Sequence, residues 1–162
     1  METRRDFTIR KAEKKDAQLV LDFIKKIAGY EKMSDQVVAT EELLEEFVFD
    51  RRAAEVLIGE AGGKPVGFAL YFENFSTFLG RTGIHLEDLF VDPDHRGKGY
   101  GKRLFQAVCK IAAERGCQRL EWTCLNWNQP SIDFYHYMGA VPLNEWTTFR
   151  LAGDAIEAAL EK

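Results

Sequence analysis

At 162 residues the chain is long enough for one domain with a substantial core, and a single domain spanning 1–162 is the simplest organisation. Its 26 acidic residues outweigh 22 lysines and arginines, and a net charge of -4 is the wrong sign for gripping a phosphate backbone, so no nucleic-acid partner is expected. No apolar run is long enough to cross a bilayer and none follows the charged start METRRDFTIRK, while three cysteines without C-x-x-C spacing argue against zinc and a disulfide framework; a reducing cytoplasm is the default setting.

Phe7 to Arg10 reads as a first strand, and Asp16 is placed to cap the helix that follows. Ala17, Val20, Leu21, Ile24, Ile27 and Ala28 recur at helical spacing, and this helix ends near Gly29. Thr40 caps a second helix whose first turn holds Glu41 and Glu42 and whose expected buried stripe is Leu43, Leu44, Phe47 and Val48. Glu55 to Ala61 and Val66 to Phe75 are two strands around Gly62-Gly63, a strong hairpin signal, followed by a loop from Asn74 to Gly83. His85 to Val91 is an apolar-rich strand stopped by Asp92-Pro93. Gly101 to Arg115 is a helix with Leu104, Phe105, Val108, Ile111 and Ala112 on one face and Gly116 at its end. Arg119 to Cys124 alternates strictly, as a strand does. Asn128-Gln129-Pro130 opens a short helix through Met138, ended by Gly139. Trp146 to Leu151 is a predicted final strand, and Asp154 a predicted cap for a terminal helix. A hairpin followed by strand-helix-strand crossovers implies an α/β fold: a mixed, mostly antiparallel, twisted sheet with helices on both faces.

The chemistry concentrates between His85 and Gly101, HLEDLFVDPDHRGKGYG. Gly97, Gly99 and Gly101 stand between a strand and a helix, where main-chain N–H groups and the positive helix end converge on an anion. The spacing fails the P-loop, because Arg96 stands where the first glycine is required, with four residues between it and Gly101-Lys102, and Arg103 follows rather than Ser or Thr. It also fails the G-x-G-x-x-G dinucleotide fingerprint, the third glycine coming one residue early. What fits is Arg-x-x-Gly-x-Gly at Arg96, Gly99 and Gly101.

That pattern resembles the pyrophosphate loop of the GNAT superfamily of acyl-CoA-dependent N-acyltransferases, and the element order is also that of the GNAT fold. Within it, the chain is similar to the diamine N-acetyltransferases of spermidine/spermine and thialysine type. The likeness runs through IAGYE at Ile27 to Glu31, STFLGRT at Ser76 to Thr82, Leu86-Glu87-Asp88, the Arg96 loop, and Asn128 to Tyr135. It implies transfer of the acetyl group of acetyl-CoA, without a metal, to the primary amine of a small cationic substrate, and a homodimer, for which exposed aromatics near Trp146 and Phe149 are a further hint.

Independently of any family, an alkylammonium titrates near ~10.4 and must lose a proton before it can attack a thioester. Glu87, on the strand before the phosphate loop, is the candidate acceptor; Asp88, of opposite parity, is expected on the other face in a structural role. Tyr135 suits the acid that protonates the departing thiolate, and the resemblance places a cofactor-contacting Asn and this Tyr at the spacing of Asn128 and Tyr135. Phe90 and Val91 are expected to offer main-chain groups to the pantetheine arm, Arg96 and the amides of Gly97, Lys98, Gly99, Tyr100, Gly101 and Lys102 to hold the pyrophosphate, and Ser131 to hydrogen-bond the arm. Tyr30 and Glu31 match the family's substrate segment, an aromatic beside a carboxylate suiting an ammonium group. Ser76 and Thr77 match the thialysine-type relatives better than the polyamine enzymes, favouring a shorter or amino-acid-like amine. His85, His95 and His136 lack metal-ligand spacing, although His85 shares parity with Glu87 and could relay a proton. Two alternatives stand beside this reading. One is acetylation of a protein N-terminus or lysine, which would want an open peptide groove; the other is a non-catalytic acyl-CoA-binding module, which would need neither Glu87 nor Tyr135.

Overall fold

The computed structural model describes residues 6–162; the charged opening, residues 1–5, lies outside them. The described chain forms two compact units, the first running through Thr123 and the second from Cys124 to Lys162.

The first unit is built on one five-stranded sheet in the order β1 to β5: Phe7–Lys11, Glu55–Ala61, Lys64–Ser76, Arg81–Val91 and Leu120–Glu121. The first four strands are mutually antiparallel and β5 joins β4 in parallel, so the sheet is mixed and mostly antiparallel. Gly62 and Gly63, with φ of 56° and 80°, close the two-residue β2–β3 turn, where left-handed backbone matches the twist of the flanking strands. Helix α1, Ala17–Tyr30, buries Val20, Leu21 and Phe23 against Val56, Ile58, Phe68, Leu70 and Phe90. Phe23 stacks on Phe68 at 5.2 Å between ring centroids. Helix α3, Tyr100–Glu114, covers the opposite face: Tyr100 stacks on Phe7 at 4.1 Å, and Leu104 reaches Gly59 and Gly67, which carry no side chain to obstruct it.

Several expectations are corrected. Asp16 does not cap α1 with its side chain; Oδ2 accepts the Glu13 N–H at 2.7 Å, and both oxygens take Arg10 at 2.8 and 2.9 Å. Thr40 does cap α2, Glu41–Leu44, accepting from Leu43 N–H, but the helix widens into a π-turn over Glu45–Asp50. The wider turn changes the angular step, so Leu44 and Val48 are buried while Leu43 and Phe47 turn outward. The 74–83 loop shrinks to residues 77–80, because β3 and β4 continue their ladder to Ser76 and Arg81. The Arg119–Cys124 strand contracts to two residues, β5 matching β4 only at Ile84 and His85. Trp122 instead packs edge-on against Phe105 at 5.2 Å.

The second unit holds helix α4, Gln129–Tyr137, and helix α5, Asp154–Ala158. Asp154 is the first residue of α5 rather than its cap, because Gly153 takes that place with φ of 56°. Trp146 to Leu151 forms no strand: an alternating segment needs an edge to pair with, and the described residues of this unit contain no other strand. Trp146 and Phe149 are exposed.

Candidate active site

The site-bearing element of the first unit is β4. Tyr71 pairs with Leu86 and Leu70 with Asp88, so Glu87 has no opposite residue and forms a β-bulge. A bulge suspends the alternation of side chains for one step. His85, opposite Phe72, and Asp88, opposite Leu70, therefore share the face covered by α1, with Glu87 between them. Glu87 Oε2 lies 3.2 Å from His85 Nε2. The parity that sends Asp88 to the other face is overturned, since it counts through a bulge that leaves no mark in the residue types.

The C-terminus of α1 delivers another carboxyl to this place. Glu31, whose N–H bonds Ile27 O at 2.9 Å, ends the helix. Burial pushes its carboxyl up, and the charge of Glu87 pushes it further. Asp88 is lifted to about 7, first by burial, then by Glu87 and Glu31. Three acids thus converge where the charge of Glu87 disfavours ionisation of both Glu31 and Asp88, which is the electrostatic setting for a cation.

Beyond the bulge, β4 keeps one edge open, since β5 reaches only as far as His85. Asp92 N–H bonds Val66 O at 2.8 Å. Alternation in an antiparallel ladder then directs the main-chain groups of Phe90 and Asp88 toward β3, and those of Leu89 and Val91 toward the open edge. Of the expected pair, Phe90 gives its ring to the core and its amide to the sheet, and Leu89 takes its place on the edge. The Val91 carbonyl accepts Arg96 Nε at 2.9 Å.

The glycine turn follows. Gly97 and Gly99 have φ of 80° and 84°, and a Cβ at either would meet nothing within 4 Å, so glycine serves backbone conformation there rather than space. The first intrahelical bond of α3 runs from Arg103 N–H to Gly99 O at 3.1 Å. The amides of Tyr100, Gly101 and Lys102 precede it and point out of the helix end. The Tyr100 ring is committed to the core, which leaves its main chain as the group that can meet a ligand; the Lys98 side chain stands at the surface. Arg96 lies over the rings of Tyr30 at 5.0 Å and Phe90 at 5.4 Å, tying the turn to the end of α1. Turn, open edge and acidic cluster follow one another along a single strand-turn-helix segment. These donors fit a diphosphate followed by an amide-bearing arm.

Ser76 and Thr77 do not join the cluster within one chain. Ser76 is buried at the β3–β4 tip, where its Oγ accepts Leu79 N–H at 3.3 Å and its carbonyl takes Gly80 N–H at 2.8 Å. Thr77 is exposed beside it, and the tip lies ~20 Å along β4 from Glu87 at the rise of an extended strand.

In the second unit, Asn128 is buried and precedes α4, its carbonyl accepting Ile132 N–H at 3.0 Å. Its side chain makes no cap bond. Ser131 and Tyr135, four residues apart, share one face of α4, and the Tyr135 ring lies 5.6 Å from that of Phe134. Among the described residues no group of three or more His, Cys, Asp or Glu has the geometry to hold a metal ion, and no helix is long and apolar enough to cross a membrane.

Residues 21–140 match the model of the acetyltransferase (GNAT) family. The chain belongs to that family. It is an acetyltransferase of GNAT fold, and the resemblance read from its motifs holds. It is 38% identical to the thialysine N-epsilon-acetyltransferase of Bos taurus over 91% of this chain and 94% of the relative. It is 45% identical to an L-ornithine N5-acetyltransferase of Arabidopsis thaliana over 57% of this chain and 40% of that one. An integron cassette protein from the mobile metagenome of V. cholerae superposes with a TM-score of 0.80 at 28% identity, covering 97% of this chain and 99% of that one.

Proposed function

We propose that this acetyltransferase moves the acetyl group of acetyl-CoA onto the primary amine of a small, short, cationic substrate of diamine or thialysine type. The observation that carries the reading is the convergence of Glu31, Glu87 and Asp88 beside the open edge of β4 and one turn before a glycine-rich helix N-terminus. The amide row of Gly97 to Lys102 holds the diphosphate, and Leu89 and Val91 pair with the arm as an added strand would. The bound thioester supplies an electrophilic carbonyl carbon and a thiolate leaving group. Glu87, more than half exposed, takes the ammonium proton directly or through a water, freeing the nitrogen lone pair. Asp88 and Glu31 hold the cation, which in turn favours their charged forms. Tyr135 donates its phenolic proton to the departing sulfur, and Asn128 and Ser131 hold the arm.

The acetyltransferase relatives with amino-acid-sized substrates in their names support the short amine. The family match runs through the boundary between the two units, which supports their acting as one domain of residues 1–162. We further place the enzyme in the cytoplasm, where the thiols of Cys109, Cys117 and Cys124 would stay reduced. We take it to work as a homodimer, an assembly that would cover exposed rings such as Phe75 and Phe78.

A thiol-release assay with acetyl-CoA tests the reading against a panel of thialysine, ornithine, short diamines, spermine, aminoglycosides and peptides. Turnover should be greatest with the short amines. Turnover only on peptides would move the assignment to a protein acetyltransferase, and CoA uptake without turnover on any amine would leave a binding module.

A further inference from the structure

We propose that His85 is a positioning residue for the proton acceptor: its Nε2–H holds one carboxylate oxygen of Glu87 so that the other is presented to the incoming amine. The inference rests on the assignment of Glu87 as that acceptor.

His85 Nε2 stands 3.2 Å from Glu87 Oε2. That is an ion-pair distance without an aligned N–H···O bond, and the hold we infer forms when the exposed Glu87 side chain turns this oxygen onto the Nε2–H axis. The ring is itself held, stacked on Phe72 with centroids 5.0 Å apart and planes 29° apart. Its side chain is 24% exposed, whereas that of Glu87 is 55% exposed. An exposed glutamate left to itself samples many rotamers, and a hydrogen bond from a fixed donor removes that freedom from one oxygen. His85 and Glu87 stand two residues apart on β4 and so share a face by alternation, while the bulge that follows adds Asp88 to that face.

The other charged groups around the pair are accounted for. Asp88 follows on the same strand, and Glu31 arrives from the end of α1. From β5, Glu121 is the register partner of His85, and its carboxylate is taken up by Arg119 at 2.6 Å. From β3, Glu73 alternates to the other face and meets Arg115 at 3.1 Å. Glu87 is thus the carboxylate that His85 holds. In the transfer the amine N–H bond breaks with its electron pair left on nitrogen, the proton goes to the free oxygen of Glu87, and the pair attacks the acetyl carbon. His85 keeps its hydrogen throughout and stabilises the anionic acceptor until the proton arrives.

Two substitutions separate the donor from the ring. His85→Phe keeps the stacking on Phe72 and removes the N–H; His85→Gln returns an N–H at similar reach. With acetyl-CoA and thialysine, His85→Phe should lower kcat by about tenfold with KM for acetyl-CoA unchanged. His85→Gln should recover most of kcat, and His85→Phe should cost nothing more in a Glu87→Gln background. A wild-type rate in His85→Phe, beside an impaired Glu87→Gln, overturns this inference and leaves the acceptor in place. Equal losses in the Phe and Gln variants, with no rescue by the restored N–H, mark a merely structural ring and overturn it too. Full turnover in Glu87→Gln removes the acceptor and the inference together.

Discussion

Asp88→Asn is the substitution whose effect follows most directly from the geometry of the acidic cluster. The Asp88 carboxyl is lifted from 3.8 to about 7 by burial and by the neighbouring charges of Glu87 and Glu31. At about 1.4 kcal/mol per pH unit of displacement, ionising it inside the fold costs on the order of 4 kcal/mol. The folded protein holds this proton more tightly than the unfolded chain does. Its contribution is therefore most favourable below about pH 4, declines as pH rises from about 4 to about 7, and is level above that. An asparagine does not ionise and loses none of it. Urea unfolding followed by tryptophan fluorescence should find the variant about 2–4 kcal/mol more stable than wild type near pH 8, with the two converging near pH 4. A stability difference that stays constant between those two values would refute the argument, as would a variant less stable at the higher pH.

The remaining predictions touch separate parts of the molecule. Tyr135→Phe should cut kcat at least ~tenfold while leaving CoA affinity nearly unchanged, measured by steady-state kinetics and calorimetry; unaltered turnover would remove the phenol from the mechanism. Gly99→Ala forces a side chain onto a backbone with φ of 84° and should weaken CoA binding by about tenfold, at a backbone cost of about 1–2 kcal/mol that thermal melting would register. Asp16→Asn removes a carboxylate that the Arg10 guanidinium holds below the ordinary range against the opposing effect of burial. That contribution is present above the unfolded value near ~3.9 and is lost as pH falls through the folded one, so the variant should be about 1–3 kcal/mol less stable at neutral pH, with the gap closing in acid.

How far the sequence carries can be argued from particular residues. Gly62-Gly63, Asp92-Pro93 and the glycines of the 97–101 turn announce themselves because turn chemistry is local, and α1 and α3 because an amphipathic stripe repeats over several turns. What stays hidden is set by partners. Glu87 bulges because of how β3 is registered, and no residue type in Leu86-Glu87-Asp88 signals it. The inward turn of Asp88 and the exchange of Phe90 for Leu89 at the open edge depend on that ladder as well. Arg119 to Cys124 has a strand pattern, but pairing stops where β4 parts from it after two residues. Trp146 to Leu151 shows the same limit, since alternation specifies a face and never an edge to pair with. Ser76 and Thr77 were legible as a motif, whereas their distance from Glu87 along β4 is a property of hairpin length.

The measurement that bears most directly on the central claim is a calorimetric titration of CoA into the pure protein, repeated with Gly97→Ala and Gly99→Ala. One molecule bound per chain, with affinity falling in both variants, is the predicted result. No heat of binding to the wild-type protein, or equal affinity in all three proteins, would contradict the placing of the diphosphate on the turn after β4 and with it the site built around Glu87.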